Sequence, residues 1–389
     1  MQCRICDSAI GEPVYAAGAP SITSIATTLD VGASVYVCET CGHAQSPDLP
    51  DLATYYDTDY KITLASEDYD HLYDTIDGVQ VFRAEHQSRL VRETCAPRQG
   101  ARILDYGAAK AATLRRLLGE VPGAEGFVFD VSRDYQDSWR DWIPSERQAA
   151  YELPTHWAGT FDLVTSHFVL EHVADPLGML RDLARMLKPD GKIFLLVPDA
   201  IANPGDLVVV DHVNHFTESS LNRALAGAGL KLDRLERGAY RGAYLAVASR
   251  AHGQAAALDR ALLARELAEL FEIAALWRDV RGIVDAEAAA LASRKLAIYG
   301  AGFYGTFIAA ALESRIRPAC FLDRNPHAQK APHLGLAVLD PAALPADVDT
   351  VFAGLNPRIA RDVLERWKRD IGRPDLEMIY LDRPRRQAA

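Results

Sequence analysis

Four cysteines stand in two pairs near the start of the chain, Cys3-x-x-Cys6 and Cys38-x-x-Cys41. A two-residue spacer lets both thiolates of a pair face one tetrahedral ion, with backbone amides free to bond the sulfurs. Two such pairs fill a zinc shell and leave no open position, so the expected site is structural and adds to the folding of a region with little core. Gly42 suits the tight turn after Cys41, whereas Cys95 and Cys320 stand alone as small apolar residues. Further on, ILDYGAAKAATLRRLL sets Asp105 at a strand end, then the small residues Gly107, Ala109 and Ala111, then a helix. Small residues there let the backbone approach a ligand at the helix N-terminus, provided the two alanines hold negative φ. Asp130 ends the next strand, where a carboxylate can take two ribose hydroxyls. FDLVTSHFVLEHV then empties an apolar strand into Ser166, His167, Glu171 and His172. Asp211, His212, Asn214 and His215 crowd five positions just ahead of Thr217, a helix-capping residue. An imidazole oriented by a carboxylate is the side chain best suited to remove a proton near neutral pH. Last, Gly300-x-Gly302-x-x-Gly305 followed by Asp323 has the spacing of a dinucleotide-binding turn, and Asn356 follows a later strand.

These groups need elements to position them. A chain of 389 residues with 49% hydrophobic and 24% charged side chains is globular and holds two to three domains at ~150 residues each. Its apolar runs fall short of the ~18 residues of a membrane span, and MQCRICDSAI carries no apolar leader. A net charge of −11 without a basic block argues against non-specific binding to nucleic acid or to anionic membranes. Cysteine use fits a reducing, cytoplasmic location. Between about 75 and 250, ILDY, GFVFD, FDLVTS and KIFLLVP alternate with helical patterns, the signature of a parallel α/β sheet. Leu177, Leu180, Leu183 and Leu187 follow helical spacing that stops at Pro189–Gly191. KLDRLE and YLAVAS form a closing hairpin, 251–293 reads as a helical connector, and strand–helix alternation restarts at 294–389. The expected architecture is α/β throughout: a zinc-ribbon-like arm over 1–74, a central Rossmann-like domain over 75–250, and a smaller Rossmann-like domain at the end.

ILDYG, the strand-ending Asp130, FDLVTSHFVLEHV and LKPDGKIFLLVP together resemble the class I S-adenosylmethionine-dependent methyltransferases. That resemblance implies S-adenosylmethionine on Asp105, Gly107, Ala109, Asp130, Ser166 and His167, with Tyr151–Leu153 covering the adenine. The whole chain, in order, is similar to the zinc-binding sugar C-methyltransferases of deoxysugar biosynthesis: cysteine pairs, methyltransferase domain, DHVNHF loop, nucleotide-fold domain. This narrower likeness implies a nucleotide-linked keto-deoxysugar as substrate, His212 as the base and Asp211 as its orienter. His172, His215 and Tyr60 would assist, with Tyr56 and Asn214 as substrate contacts. Gly300, Gly302, Asp323 and Asn356 would serve the nucleotide end. Val209 stands where that family often has tyrosine, and His215 where it has another aromatic. Three other readings stay open: an O- or N-methyltransferase of a glycan or natural product, an NAD-binding oxidoreductase or sensor resting on the 300–305 turn, and a zinc-stapled scaffold whose donor site has decayed, resting on Ala109 and Ala111. Against the oxidoreductase, the final domain is short and holds no evident catalytic Lys or Tyr-x-x-x-Lys.

Overall fold

The computed structural model describes residues 1–51, 55, 72–76, 79–251, 258–291, 294–312 and 315–382, so Tyr56 and Tyr60 lie outside the described residues. The chain forms two compact units, one of Met1–Glu12, Tyr36–Asp206 and His212–Leu270, the other of Pro13–Val35, Leu207–Asp211 and Phe271–Ala389.

The first unit is built on a seven-stranded sheet ordered Gln148–Ala150, Glu125–Asp130, Arg102–Tyr106, Phe161–His167, Leu187–Pro198, Ala243–Arg250, Leu230–Tyr240. The strand Ala243–Arg250 alone runs against the others. Because strand side chains alternate, Leu187–Pro198 feeds two cores. Ile193, Leu195 and Val197 pack with Leu180 and Leu183 of helix Pro176–Met186 and Leu221 of helix Glu218–Gly227. Phe194 and Leu196 pack on the other face with Val91 of helix Arg83–Cys95 and Leu114 and Leu117 of helix Ala112–Glu120. Helix Pro176–Met186 starts where Asp175 accepts the Gly178 amide and Pro176 supplies a preset φ. It ends one residue before the sequence spacing does, since Leu187 already pairs with Phe161 as strand. Pro189 and Gly191 sit in the irregularity before the ladder resumes at Leu163 and Lys192, as an interrupting proline requires.

The turn after Asp105 departs from expectation. Gly107 has φ +72, and a Cβ there would lie 2.4 Å from the Val169 side chain, so glycine is obligatory on both counts. Ala109 and Ala111, expected at negative φ, sit at +45 and +55. This left-handed backbone costs about 1 kcal/mol or more per residue, and the surroundings impose it. Gly107 and Ala108 both donate to the Phe129 carbonyl, the Ala109 amide donates to Asp130, and Trp139 Nε1 donates to the Ala109 carbonyl at 2.7 Å.

The second unit carries a parallel five-stranded sheet ordered Val338–Leu339, Phe321–Leu322, Leu296–Tyr299, Thr350–Ala353, Glu377–Ile379. Its crossover helices include Phe303–Leu312 and Pro357–Asp370. A Cβ on Gly300 (φ +100) would meet the Gly354 carbonyl at 2.4 Å, and one on Gly305 the Gly300 carbonyl at 1.9 Å. These two glycines are thus demanded by strand–helix packing. Among the described residues no helix is long and apolar enough to cross a membrane.

Ala109→Gly should leave the thermal midpoint unchanged or raise it, because relief of the left-handed φ offsets the ~0.5–1 kcal/mol that glycine costs in backbone entropy. A clear fall in melting temperature would show that Ala109 is not strained.

Candidate active site

The order of the large sheet reverses between Arg102–Tyr106 and Phe161–His167, and ligands of open α/β sheets bind at the carboxyl ends beside such a reversal. Asp105 ends the first of these strands, buried, and accepts from Thr165 Oγ1 at 2.8 Å. Burial pushes its carboxyl up to about 7, with the Asp130 charge adding to the rise and the Thr165 bond opposing it. Asp130 accepts from the Ala109 amide at 2.8 Å and the Ser132 amide at 3.1 Å. Burial raises its carboxyl too. Each oxygen keeps capacity for a second donor. Ser166 Oγ and both ring nitrogens of His167 are buried with no hydrogen-bond partner among the described residues. Burial drives His167 down to about 3, so its ring is neutral. Unsatisfied polar atoms gathered at this edge are what a polar ligand would complete. Val131 and Tyr151, both about half exposed, follow the two neighbouring strand ends. The set fits S-adenosylmethionine: Asp105, Ser166 and His167 for its amino-acid end, Asp130 for ribose hydroxyls, Val131 and Tyr151 for the apolar base.

Leu170–His172 forms a tight turn just beyond the same strand, and it meets the histidine loop. The Val213 amide donates to the Glu171 carbonyl at 2.8 Å, and the His172 and His212 rings meet edge-on with centroids 4.7 Å apart. The acid on His212 is Asp206, not Asp211. His212 Nδ1 donates to Asp206 Oδ1 at 2.5 Å, and His215 Nδ1 to Asp206 Oδ2 at 2.9 Å. Asp206 is fully buried; burial by itself would raise its carboxyl, but the two imidazoles override that and hold it well below the ordinary range. Asp211 instead accepts from the Ser24 amide at 2.7 Å and Ser24 Oγ at 2.6 Å. Asn214, expected against substrate, is buried as a clamp. Its amide donates to the Leu170 and Val173 carbonyls at 3.1 and 2.7 Å, while His43 Nε2 lies 3.3 Å from its oxygen. Glu171 is 1% exposed; burial pushes its carboxyl up to about 8 against the pull of His212.

The cysteine region holds this loop from behind. Asn214–His215 pairs antiparallel with Ala44–Gln45, directly after the second cysteine pair. The Ser46 amide donates to the Val213 carbonyl at 3.1 Å, and Arg4 Nη1 donates to that carbonyl at 2.5 Å and to the Ser46 carbonyl at 2.9 Å. Ser46 Oγ lies 3.1 Å from His215 Nε2, and Thr217 Oγ1 donates to the Gly42 carbonyl at 3.2 Å. Thr217 also caps the next helix, and Gly42 has the φ of +75 that its turn requires. The sulfurs of Cys3 and Cys41 are 3.6 Å apart and those of Cys6 and Cys38 3.5 Å, close to the ~3.8 Å that Zn–S bonds of ~2.3 Å impose on a tetrahedron. All four lie within 4.8 Å of one another, and the Ile5 amide donates to Cys3 Sγ. The four cysteines could hold zinc.

Gly300, Gly302, Asp323 and Asn356 belong to the second unit. Asp323 accepts the Ala301 and Asn325 amides, each at 2.8 Å, a Cβ on Gly302 would find nothing within 4 Å, and Asn356 is exposed beside helix Pro357–Asp370. Sequence reasoning missed Asp206. It sits in PGDLVVVDHVNH without a motif position, and only the path of the loop brings it to both rings. Since Glu171 titrates higher folded than unfolded, its burial costs nothing below about pH 4 and weakens the fold progressively as pH rises toward 8. Glu171→Gln should therefore raise the melting temperature more at pH 9 than at pH 6, and an equal gain at both would show the carboxyl already ionised at pH 6.

Residues 80–235 match the family model for a methyltransferase domain. The ubiquinone biosynthesis O-methyltransferase of Xanthomonas oryzae pv. oryzae (strain PXO99A) is 33% identical over 111 residues, covering 25% of this chain and 42% of that protein. The enzyme of the same name from Xanthomonas axonopodis pv. citri (strain 306) is 34% identical over 101 residues, with the same coverage. The matched stretch thus spans less than half the length of these relatives. Among solved structures, the Burkholderia thailandensis 1,6-didemethyltoxoflavin-N1-methyltransferase, with bound 1,6-didemethyltoxoflavin and S-adenosylhomocysteine, is 18% identical. It covers 43% of this chain and 78% of its own, with a TM-score of 0.34. Mitomycin 7-O-methyltransferase is also 18% identical and covers 43% and 54%, with a TM-score of 0.36. The sheet order and the acids at its carboxyl edge agree with the match of residues 80–235 to a methyltransferase domain.

Proposed function

We propose that the chain transfers a methyl group from S-adenosylmethionine to the carbon beside the ketone of a nucleotide-linked deoxysugar, with His212 as the base. One observation carries this reading: the buried Asp206 that fixes the His212 ring through Nδ1. A carbon acceptor becomes nucleophilic only when a proton is removed next to its carbonyl. A base for that proton needs an imidazole held in one tautomer and a partner for the charge it gains. Asp206 supplies both, which leaves Nε2 as the nitrogen that takes the proton. His172 lies edge-on to the same ring. Bound S-adenosylmethionine supplies a methyl group on positively charged sulfur. The chain's own part is to align the acceptor with it, which matters as much as the base does in an in-line displacement.

Zinc on Cys3, Cys6, Cys38 and Cys41 would act at a distance, by stiffening the knuckle whose strand pairs with Asn214–His215. Transfer to a hydroxyl is the second reading, favoured by the name of the Xanthomonas relatives. Solvent exchange separates the two. Incubating the enzyme with a thymidine-diphosphate-linked 4-keto-6-deoxyhexose in deuterium oxide, without donor, should place deuterium beside the ketone, and His212→Ala should abolish this. An enzyme that methylates its acceptor without any such exchange is an O- or N-methyltransferase.

Asp206→Asn should cut turnover by about 10²–10⁴-fold with donor affinity retained, because the amide no longer fixes the tautomer. Asp211→Asn should act mainly on stability, and an equal loss of turnover in both variants would contradict the assignment. The purified protein should carry one zinc per chain by elemental analysis. Its removal by chelation should lower the melting temperature and slow methyl transfer together, and full activity in zinc-free protein would remove the zinc from this account.

A further inference from the structure

Among the buried acids around the sheet edge, Asp199 and Glu171 each have one carboxyl oxygen without a hydrogen bond among the described residues, and Asp199 Oδ2 has the Arg237 guanidinium at 3.4 Å. Asp105 has Thr165, Asp130 has two amides, and Asp206 has two imidazoles. Glu171 is equally buried, yet its Oε2 has no hydrogen-bond partner among the described residues. An unsatisfied carboxyl oxygen in such a place costs about 1–3 kcal/mol or more. One carboxyl oxygen of Glu171 and one ring nitrogen each of His172 and His212 lie within 4.8 Å of one another. The turn that carries Glu171 is tied to the histidine loop by the bond from the Val213 amide, so the spacing between acid and base is set by main chain.

We propose that Glu171, as the neutral acid, donates a hydrogen bond to the carbonyl oxygen of the acceptor while His212 removes the neighbouring proton. This rests on the enolate reading given above and adds the group that stabilises the enolate. The C–H bond beside the ketone breaks, its proton goes to His212 Nε2, and its electron pair spreads onto the carbonyl oxygen, which accepts from Glu171. The carbon then forms its bond to the methyl group as the methyl–sulfur bond breaks with its pair on sulfur, and His212 returns its proton to solvent. Four groups face Glu171: His172 on its own turn, His212 and Asp206 from the histidine loop, and Arg83 from helix Arg83–Cys95. Arg83 and His212 favour its ionised form and Asp206 opposes it, but burial outweighs all of these and keeps it protonated up to about pH 8. Two carboxyls pushed in opposite directions thus flank one imidazole. Asp206 stays ionised to hold the base, and Glu171 stays protonated to donate.

The test uses the full chain, with the same 4-keto-6-deoxyhexose nucleotide as probe in deuterium oxide. Glu171→Ala should slow deuterium uptake about 10²–10³-fold, as loss of one oxyanion donor does. Glu171→Gln, whose amide still donates, should lose far less. Uptake by the unchanged protein should decline above about pH 8, and that decline should vanish in Glu171→Gln. The infrared carbonyl stretch of a protonated acid at pH 6.5 should lose intensity in the same variant, while its S-adenosylhomocysteine affinity stays unchanged. Equal losses in both variants, a high-pH decline that survives in Glu171→Gln, or a divalent cation bound by the unchanged protein and lost with Glu171 would each overturn the assignment and leave His212 as base. No uptake by an active, unchanged protein would overturn the enolate reading itself.

Discussion

A carboxylate taken wholly out of water and shared by two imidazoles sets the terms for the rest of this site. Burying Asp206 costs several kcal/mol unless its charge is paired and its oxygens are bonded. The bonds from His212 and His215 at 2.5 and 2.9 Å do both. Because one oxygen goes to each ring, neither imidazole can turn without stranding the charge. This gives His215 a definite role. An ordinary aromatic at that position could not hold the second oxygen, so the histidine there is half of the clamp that orients the first.

The clamp is held in turn by a seam far away in sequence. The Ala44–Gln45 strand lies against Asn214–His215, and Arg4, Gly42, His43 and Ser46 all reach the same few residues. Cys3, Cys38 and Cys41 pack in the same apolar cluster as Phe216 and Leu221, at the start of the helix after the loop. A small, metal-sized cluster of sulfurs therefore lies behind the histidine loop and is joined to it by main-chain bonds.

At the other side of the sheet edge, the same device appears in both α/β units. A strand-ending acid reaches back to an amide of the preceding small-residue turn and forward to an amide two residues on: Asp130 to Ala109 and Ser132, Asp323 to Ala301 and Asn325. In the first unit this bond helps impose left-handed φ on Ala109, a conformation alanine resists. In the second, the glycines at 300 and 305 are fixed by packing against Gly354 and against each other. The turn motif thus reports on close packing before it reports on any ligand.

The sequence by itself determined what depends on near neighbours. Short apolar runs alternating with helical patterns placed the central strands, the two-residue cysteine spacing brought four sulfurs to bonding range of one ion, and acids at strand ends had to lie at the carboxyl edge of a parallel sheet. Tertiary structure alone decided partners. Whether Asp206 or Asp211 meets His212, that Asn214 turns inward as a clamp, that two alanines are driven to positive φ, and that Glu171 Oε2 is left without a hydrogen bond all follow from how loops distant in sequence are laid together. Hydrogen-bond choice inside a protein is made by geometry over ångströms, and a few residues of irregular chain carry no period from which that geometry can be read.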